Sequence, residues 1–168
     1  MRGGSEMAYD DAQMVEMLRR SYGAVDGLWF VMCEQRLGLQ AALELDDAVW
    51  QVMPKLQARR AREILGLSAN SLDALAQALG LKLAAEGHTF EVSQTPERLE
   101  IRITQCPWHD ALAKSDRLHI AAQVARIICT NEANGWAAEF GQEPEFDFAQ
   151  SKCDGGECCR FAFAPKQE

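Results

Sequence analysis

The sequence predicts an α+β fold in which a helical N-terminal layer precedes a four-stranded antiparallel sheet with a long helix packed on it. Three observations predict this class. Apolar residues recur at spacings of three and four through residue 87, and between Phe90 and Ile103 they alternate with polar residues. A second helical stretch follows, and two more strand-like segments come near the end. Helices and strands that are segregated along a sequence in this way are typical of α+β domains.

The composition is that of a globular protein with an acidic balance. Of the 168 residues, 48% are hydrophobic and 25% are charged, and the formal net charge is -8. An acidic protein is not attracted to phosphate backbones or anionic lipids, so we predict no nucleic-acid partner and no membrane partner. No apolar run approaches the roughly 18–20 residues that a membrane span requires.

We predict a single α+β domain at residues 8–168 after a disordered leader at residues 1–7. The leader contains no apolar h-region and therefore lacks the pattern of a secretory signal. Within the domain, residues 8–87 form the helical part, and residues 88–165 form the metal-binding part of sheet and helix. The expected location is the cytoplasm, where thiols stay reduced.

Caps and breakers mark the predicted helices. Asp10 or Asp11 caps a first helix with an apolar stripe at residues 14–32, which faces a core or a partner and ends at Gly38. Residues 39–45 then form a short helical turn.

Asp46 or Asp47 is expected to start the next helix, which continues to residue 65 with a kink or a delayed start at Pro54. Ser71 caps a further helix, which is closed by Gly87.

The second part begins with a predicted hairpin, because residues 90–92 and 99–103 alternate around the turn Thr95-Pro96-Glu97. From Asp116 the pattern is helical again and extends as far as Phe140. Two last strands, at residues 146–151 and 159–164, are expected to flank a tight turn at residues 154–157.

Cysteines carry the clearest functional signal. Six cysteines without a secretory signal indicate free thiols, and clustered free thiols indicate a metal site or catalysis. Four of them fall at element ends or inside the long helix, and we predict that they converge on one metal centre: Cys106, Cys129, Cys153 and Cys159. The two mouths of a hairpin lie about 5 Å apart, which brings the last two thiols together.

Cys158 is the alternative ligand to Cys159, because adjacent strand residues point to opposite faces and only one of the two can face the centre. Cys33 stands alone on the first helix and is interpreted as a core residue.

Four thiolates suit Zn²⁺ in a closed tetrahedral site, and they equally suit an iron-sulfur cluster of the [4Fe-4S] type. A closed zinc site has no open position for water, so it would join strand, helix and hairpin rather than activate a nucleophile. Zinc is our first choice and the cluster is the alternative.

A second candidate site is polar and aromatic, and it is predicted to bind a small organic ligand. Asp26, Trp29 and Glu34 lie on one side of the first helix, and an indole beside a carboxylate makes a suitable pocket wall. Trp50 and Trp108 complete the candidate set. His109 follows Cys106 closely, and these two residues are the candidates for catalysis, with His109 as a general base or a replacement metal ligand.

The C-terminal part of the chain resembles a known family. The residues that carry the resemblance are Cys129, Gly135, Phe140, Pro144, Lys152-Cys153, Gly156 and Cys159-Arg160. This stretch resembles the end of the 4-vinyl-reductase-type sensor domain. That resemblance implies a structural zinc beside a small-molecule pocket. The family's site includes a carboxylate ligand, whose position Cys106 would supply here, and its last turn often has Gly-Asp where this chain has Gly155-Gly156.

A second resemblance covers the whole length. The residues that carry it are the segment Ala24 to Phe30, Glu34, Asp46, Val49-Trp50, Ala58-Arg59-Arg60, Cys106-Pro107 and Cys159-Arg160-Phe161. At these positions the chain is similar to the L-2-amino-thiazoline-4-carboxylic acid hydrolase-like family. The resemblance implies hydrolysis of a cyclic amidine C–N bond.

The expected function is therefore a metal-containing small-molecule-binding domain, and we expect a homodimer formed through the first helix. A hydrolase and an iron-sulfur redox sensor are the alternatives.

Overall fold

The computed structural model describes residues 8–146 and 151–166, with only the backbone described at Phe146. The predictions of a leader at residues 1–7 and of strand positions 147–150 lie outside these residues. The chain folds as helices α1 to α6 and strands β1 to β4.

Helix α1, Asp11–Leu37, starts and ends where the sequence predicts. Asp10 Oδ1 accepts a hydrogen bond of 2.7 Å from the Gln13 N–H, and Gln13 Oε1 accepts one of 3.1 Å from the Asp10 N–H. This reciprocal pair is a capping box. Gly38 ends the helix with a φ of 88°, a value that favours glycine. No residue of α1 is buried, so its apolar stripe faces outward.

Helix α2, Leu39–Trp50, is continuous, so the prediction of a new helix at Asp46 or Asp47 is wrong. An Asp inside a helix is tolerated when its side chain does not cap, and the interruption is instead at residues 51–52. Helix α3, Met53–Leu65, starts with Pro54 in its first turn, where the missing N–H needs no partner. The delayed start expected at Pro54 is thereby confirmed.

Helix α4, Leu72–Glu86, is the most buried helix in the described part of the chain. Ser71 caps it by accepting a 3.1 Å hydrogen bond from the Ala74 N–H, and Gly87 closes it with a φ of 86°. Both boundaries are those predicted from the sequence.

The four strands form one antiparallel sheet in the order β1-β2-β4-β3, and a sheet of this kind is what the sequence predicts. Strand β1 is Thr89–Gln94, β2 is Leu99–Gln105, β3 is Gln142–Phe146 and β4 is Cys159–Pro165. The third strand therefore begins earlier than predicted, and Ser151 is not in a strand. Pro144 fits β3 because an edge strand does not need the missing N–H for pairing.

Helix α5, Pro107–Lys114, was not predicted, and helix α6, Ala121–Glu139, begins later than the expected start at Asp116. Asp116 has a φ of 57°, which is incompatible with a helical start. A short 3₁₀ turn, Leu118–Ile120, leads into α6. The predicted continuation of this helix to Trp136 is confirmed.

The core lies between the sheet and the helices α3, α4 and α6. Trp136 and Phe140 stack with their ring centres 6.3 Å apart, and the Arg62 guanidinium lies 4.3 Å from the centre of the Phe140 ring. Arg59 joins α3 to α6 through two hydrogen bonds to the Glu139 carboxylate. Among the described residues, no helix has the length and apolar character needed to cross a membrane.

Candidate metal centre and polar cluster

Cys106 lies at the corner between β2 and α5 and packs against the core. Burial raises the pKa of its thiol to about 11. The backbone N–H groups of His109 and Trp108 partly offset this rise in the pKa. The Cys159 thiolate acts in the opposite direction and raises the pKa of Cys106 further.

Cys129 lies on α6 and is half-buried against the core. Burial, the Glu132 carboxylate and the thiolates of Cys159, Cys106 and Cys153 all raise its pKa well above the usual value. Electrostatic effects of this kind require the groups to lie close together in a poorly solvated region. The four predicted cysteines therefore lie within electrostatic range of one another, and Cys106, Cys129 and Cys159 pack against the same core.

Cys153 lies in the 3₁₀ turn Lys152–Asp154, and Cys159 begins β4. The Lys152 N–H donates to Cys159 Sγ at 3.4 Å. Burial raises the pKa of Cys153 to about 12, and Cys106 and Cys159 contribute to this rise. The turn thus brings the last two thiols into one place without a simple hairpin.

Two contacts hold this turn against the rest of the domain. Lys152 Nζ donates to the Thr104 carbonyl on β2 at 3.0 Å. Asp154 forms an ion pair of 2.8 Å with Arg126 on α6. Both contacts fix the turn beside the strand and the helix that carry the other two thiols.

The remaining cysteines lie elsewhere. Cys158 is buried beside Arg102, and a side-chain hydrogen bond to Cys158 raises the Arg102 pKa. Cys33 lines a groove on α1, so its interpretation as a core residue is wrong, because α1 buries none of its residues. Cys159, and not Cys158, is among the thiols that raise the pKa of Cys106, Cys129 and Cys153, and its choice as the metal ligand stays a prediction.

In the described part of the chain, no three His, Cys, Asp or Glu side chains are positioned so that they could hold a metal ion as they stand. The residue types nevertheless fit a metal, because four thiols from separate elements meet in one region and two of them face backbone N–H groups. Sulfur ligands of metals commonly accept hydrogen bonds from such N–H groups around the metal site.

A buried polar cluster adjoins the thiols. Lys82 on α4 forms ion pairs with Glu86, at 2.9 Å, and with Glu132 on α6. Burial alone would lower the pKa of Lys82, but the two carboxylates outweigh it and raise that pKa. Burial raises the pKa of Glu132 despite the Lys82 charge. Because Glu132 also acts on Cys106 and Cys129, it connects the polar cluster to the thiols.

Aromatic rings cover the Glu86 side of this cluster. The Trp108 indole meets the Tyr22 ring edge to face at 5.7 Å and the Trp50 indole at 6.2 Å. Trp108 Nε1 donates to Glu86 Oε2 at 3.4 Å, and Gln57 Nε2 donates to Glu86 Oε1 at the same distance.

Two half-buried carboxyl groups lie at the outer edge of the aromatic rings. Burial and then the Glu86 charge raise the pKa of Asp26 on α1. Burial, and then Asp26, raise the pKa of Asp46 on α2 to about 7. The Trp50 indole partly offsets the rise in the pKa of Asp46, although Trp50 Nε1 makes no hydrogen bond of normal geometry.

The predicted ligand-binding residues thus separate into two groups. Trp50 and Trp108 are in contact and Asp26 lies one helical turn from Tyr22, which contacts Trp108, whereas Trp29 is 69% exposed on the outer face of α1. Glu34 instead forms an ion pair with Arg117.

His109 has a buried Nδ1 without a hydrogen-bond partner and lies 3.6 Å from Asp110 Oδ1. The other two histidines differ from it. The side chain of His88 is buried and its Nδ1 lies 3.8 Å from Glu86 Oε2, whereas His119 is in the 3₁₀ turn before α6.

Two open grooves lie away from the thiols. One, of about 390 Å³, runs between α2 and α6 and is lined by polar residues such as Glu44, Gln123 and Arg126. The other, of about 510 Å³, follows the apolar face of α1 between Val25 and Leu37.

Lys82, Glu86 and Glu132 were not among the site residues predicted from the sequence. Lys82 and Glu86 are four residues apart on one helix, a spacing that usually indicates an exposed ion pair. The sequence did contain a sign that Lys82 is buried, since Leu79 and Leu83 belong to the predicted apolar face and Lys82 lies between them.

The carboxyl groups at the outer edge also follow a local spacing. Tyr22 with Asp26 and Asp46 with Trp50 are spaced by four, which places each carboxyl group beside an aromatic ring.

Comparison with known proteins identifies one family. A family model described as "Family of unknown function (DUF6125)" matches residues 7–131. The match includes the helical layer, the first hairpin, Cys106 and Cys129, and it ends before Cys153. No curated protein matches the chain, and no solved structure does.

Proposed function

Since the chain belongs to the family of unknown function DUF6125, we propose its function from its own residues: it is a cytoplasmic domain that binds one metal centre through Cys106, Cys129, Cys153 and Cys159 and a small organic ligand beside it. The observation that supports the metal proposal is that Cys106, Cys129 and Cys159 pack against the same core, and that the turn carrying Cys153 donates a backbone N–H to Cys159 Sγ. The cytoplasmic location is supported by six cysteines that are all free.

A cation would reverse the unfavourable electrostatics of this region. Thiolates that crowd in a buried site repel one another, and a coordinated metal ion deprotonates thiols outright. The backbone N–H groups near Cys106 and Cys159 would stabilise the charge that remains on sulfur.

We propose zinc as the first candidate, with a [4Fe-4S] cluster as the alternative. A closed site with four sulfur ligands would tie β2, α6 and the 3₁₀ turn before β4 together. A cluster held by the same residues would give the domain the properties of a redox sensor.

Elemental analysis of protein purified without oxygen tests this proposal. We expect about one zinc ion per chain in a colourless protein. Serine substitution of each of the four cysteines should reduce the bound metal, whereas the matched variants Cys33→Ser and Cys158→Ser should keep it. A brown protein with iron would select the cluster. Metal-free protein, or equal loss of metal in Cys158→Ser, would refute the four-cysteine site.

We place the small-molecule site at Asp26, Trp50 and Trp108, which lie within one cluster of carboxyl groups and indoles. Trp108 is two residues from Cys106, so this site adjoins one of the proposed metal ligands, and Asp26 and Trp108 are half-buried. Trp29 and Glu34, the other sequence candidates, are not part of it.

Hydrolysis of a small cyclic C–N bond is a second candidate, because the unpartnered Nδ1 of His109 lies beside the corner that carries Cys106. A His109→Ala variant that folds and retains its metal should then lose all turnover of L-2-amino-thiazoline-4-carboxylate. Full turnover in that variant would exclude His109 as the general base.

The occupant that we propose for the outer face of α1 is the same helix of a second copy. Met14, Leu18, Val25, Leu28 and Met32 repeat at spacings typical of a helix–helix seam. With Trp29 and their neighbours they present roughly 600 Å² of apolar surface, which approaches the about 800 Å² that each partner buries in a standard interface.

Sedimentation velocity tests the dimer. Leu28 is 60% exposed on this face, and Leu28→Glu should convert a dimer into a monomer. Ile64 is 67% exposed on α3, and Ile64→Glu serves as the matched control that leaves the dimer intact. A monomeric wild-type chain would refute the homodimer.

A further inference from the structure

A network of polar and aromatic contacts surrounds Glu86 and reaches from the core to solvent. We call the six residues of this network the acid-aromatic cluster: Tyr22, Asp26, Asp46, Trp50, Glu86 and Trp108. Its rings meet edge to face at 5.7 and 6.2 Å. Tyr22, Asp26, Asp46 and Trp108 are half-buried, and we call this partly exposed side of the cluster its mouth.

The charge of this region is strongly unbalanced. Asp26, Asp46, Glu86 and Glu132 contribute four carboxyl groups, and in the described part of the chain Lys82 is the cation that pairs with them. Lys82 contacts Glu86 and Glu132, and no cation of the described residues is among the causes that shift the pKa of Asp26 or Asp46 at the mouth. Poorly solvated carboxylates without a counter-ion are unfavourable, and a bound cation removes this cost.

Polar atoms without partners face the same region. Trp50 is 2% exposed and its Nε1 has no hydrogen-bond partner, although it lies beside Asp46. The His88 side chain is 4% exposed, and its Nδ1 lies 3.8 Å from Glu86 Oε2 without a hydrogen bond. Gln57 Oε1 is buried without a partner, while its Nε2 contacts Tyr22 and Glu86. Buried polar groups in native proteins normally have partners. Gln57 Oε1 and a neutral His88 Nδ1 are acceptors and therefore suit a ligand that carries positive charge, whereas the Trp50 N–H is a donor that lies beside the Asp46 carboxylate.

We propose that the acid-aromatic cluster binds a small organic ammonium ion, with Asp26 and Asp46 as its counter-ions and the Trp50 and Trp108 indoles as its walls. This inference rests on the small-molecule part of the proposed function and names the class of ligand. Indole rings attract cations through their electron-rich faces, and carboxylates at the mouth exclude anions. An ammonium ion bound here would lower the pKa of Asp46 from its value of about 7 in the free protein.

Three probes of similar size and different charge test the proposal by calorimetry: tetramethylammonium, tert-butanol and pivalate. We expect tetramethylammonium to bind about tenfold more tightly than tert-butanol, because the cation gains attraction from both the carboxylates and the indoles. Pivalate should not bind. In a two-dimensional NMR spectrum, the indole resonance of Trp50, assigned with Trp50→Phe, should shift with tetramethylammonium.

Matched variants locate the site. Asp46→Asn should remove most of the preference for the cation, and Asp26→Asn provides a second test if the first variant does not fold. Asp47→Asn makes the same change in charge at the adjacent residue, whose Oδ1 accepts from Asn131 outside the cluster and whose charge is the smallest of the effects on the pKa of Asp46, so this variant should keep the preference for the cation. Equal affinities for the cation and the alcohol, or an unchanged preference in both cluster variants, would overturn the inference.

The measurements are made on protein as purified and again after removal of metal by a chelator. Selective binding of tetramethylammonium would support this inference even if elemental analysis found no metal. Preferential binding of pivalate would retain a small-molecule site and overturn the ammonium class. Absence of binding by all three probes would overturn this inference, and the metal proposal would stand or fall on its own assay.

Discussion

Helices α3 and α6 approach each other closely at Gly135, which gives a sharp test of the helical packing. A Cβ atom added to Gly135 would lie 2.7 Å from Pro54 Cβ and 3.5 Å from the Lys55 backbone nitrogen. A proline ring in the first turn of a helix cannot rotate away. We therefore expect Gly135→Ala to force α3 and α6 apart.

The expected cost follows from two opposing contributions. Alanine favours a helix over glycine by about 1 kcal/mol. Overpacking a well-filled contact costs about 1–3 kcal/mol, and a contact of 2.7 Å with a rigid ring lies toward the upper end of that range. The net expectation is a loss of about 1–2 kcal/mol in the free energy of unfolding.

Gly80→Ala is the matched control, because Gly80 is also inside a helix but its added Cβ would lie 3.9 Å from the Phe90 ring, an ordinary contact. This control should gain about 1 kcal/mol. Urea unfolding monitored by circular dichroism compares the free energies of unfolding of the two variants, provided that the slopes of their unfolding curves are equal. If Gly135→Ala is as stable as Gly80→Ala, helices α3 and α6 do not approach as closely as Pro54 and Gly135 indicate.

Three further predictions concern the buried charges. Lys82→Met leaves Glu86 and Glu132 buried without a cation, so it should cost about 3–5 kcal/mol in urea unfolding at pH 7.5 and less at pH 5, where carboxyl groups become protonated. Burial raises the pKa of Asp46 to about 7, so the stabilising contribution of this group is complete below pH 4 and is lost as the pH rises through 7. Asp46→Asn should therefore raise the free energy of unfolding by roughly 1 kcal/mol at pH 8, after allowance for solvent screening, and should leave it unchanged at pH 4. Burial, then Lys82, lower the pKa of His88 to about 4, so its contribution is present above pH 6.5 and is lost as the pH falls through 4; His88→Gln should shift the acid unfolding midpoint to lower pH.

Most of the fold was predictable because its boundaries are local. Asp10, Ser71 and Gly87 act through hydrogen bonds or φ values within three residues of themselves, and period-two alternation sets the strands. The errors arose where local signals compete. Asp46 and Asp47 resemble a helix cap but lie inside α2, because tertiary packing of Leu43 and Trp50 keeps that helix continuous.

The thiol neighbourhood was partly predictable, whereas the polar cluster was not. Free cysteines without a secretory signal already indicate a shared site, and strand alternation separates Cys158 from Cys159. No such rule connects Lys82 with Glu132, which are distant in the sequence and meet only because α4 and α6 pack on the same sheet. Long-range pairing of charges depends on the packing angle of the helices and is not encoded in any one segment.

Glu132 allows the proposed metal ligands to be distinguished from their surroundings. Its carboxylate pairs with Lys82 and also raises the pKa of Cys106 and Cys129, so it opposes formation of the thiolates that a metal requires. Glu132→Gln keeps the shape and removes this charge. At an effective dielectric constant of about 20, one nearby unit charge contributes about 1–3 kcal/mol, so zinc affinity should rise about tenfold or more.

Competition with a chromophoric chelator measures that affinity. Glu86→Gln is the control that removes the other Lys82 partner, since the Glu86 charge is not among the causes that raise the pKa of Cys106 or Cys129. A folded Glu132→Gln protein that no longer binds zinc would contradict this reasoning, because Glu132 would then itself be a ligand in place of one of the four cysteines. A rise in zinc affinity would identify Glu132 as a repulsive neighbour of the thiols, and a loss of zinc would identify it as a ligand.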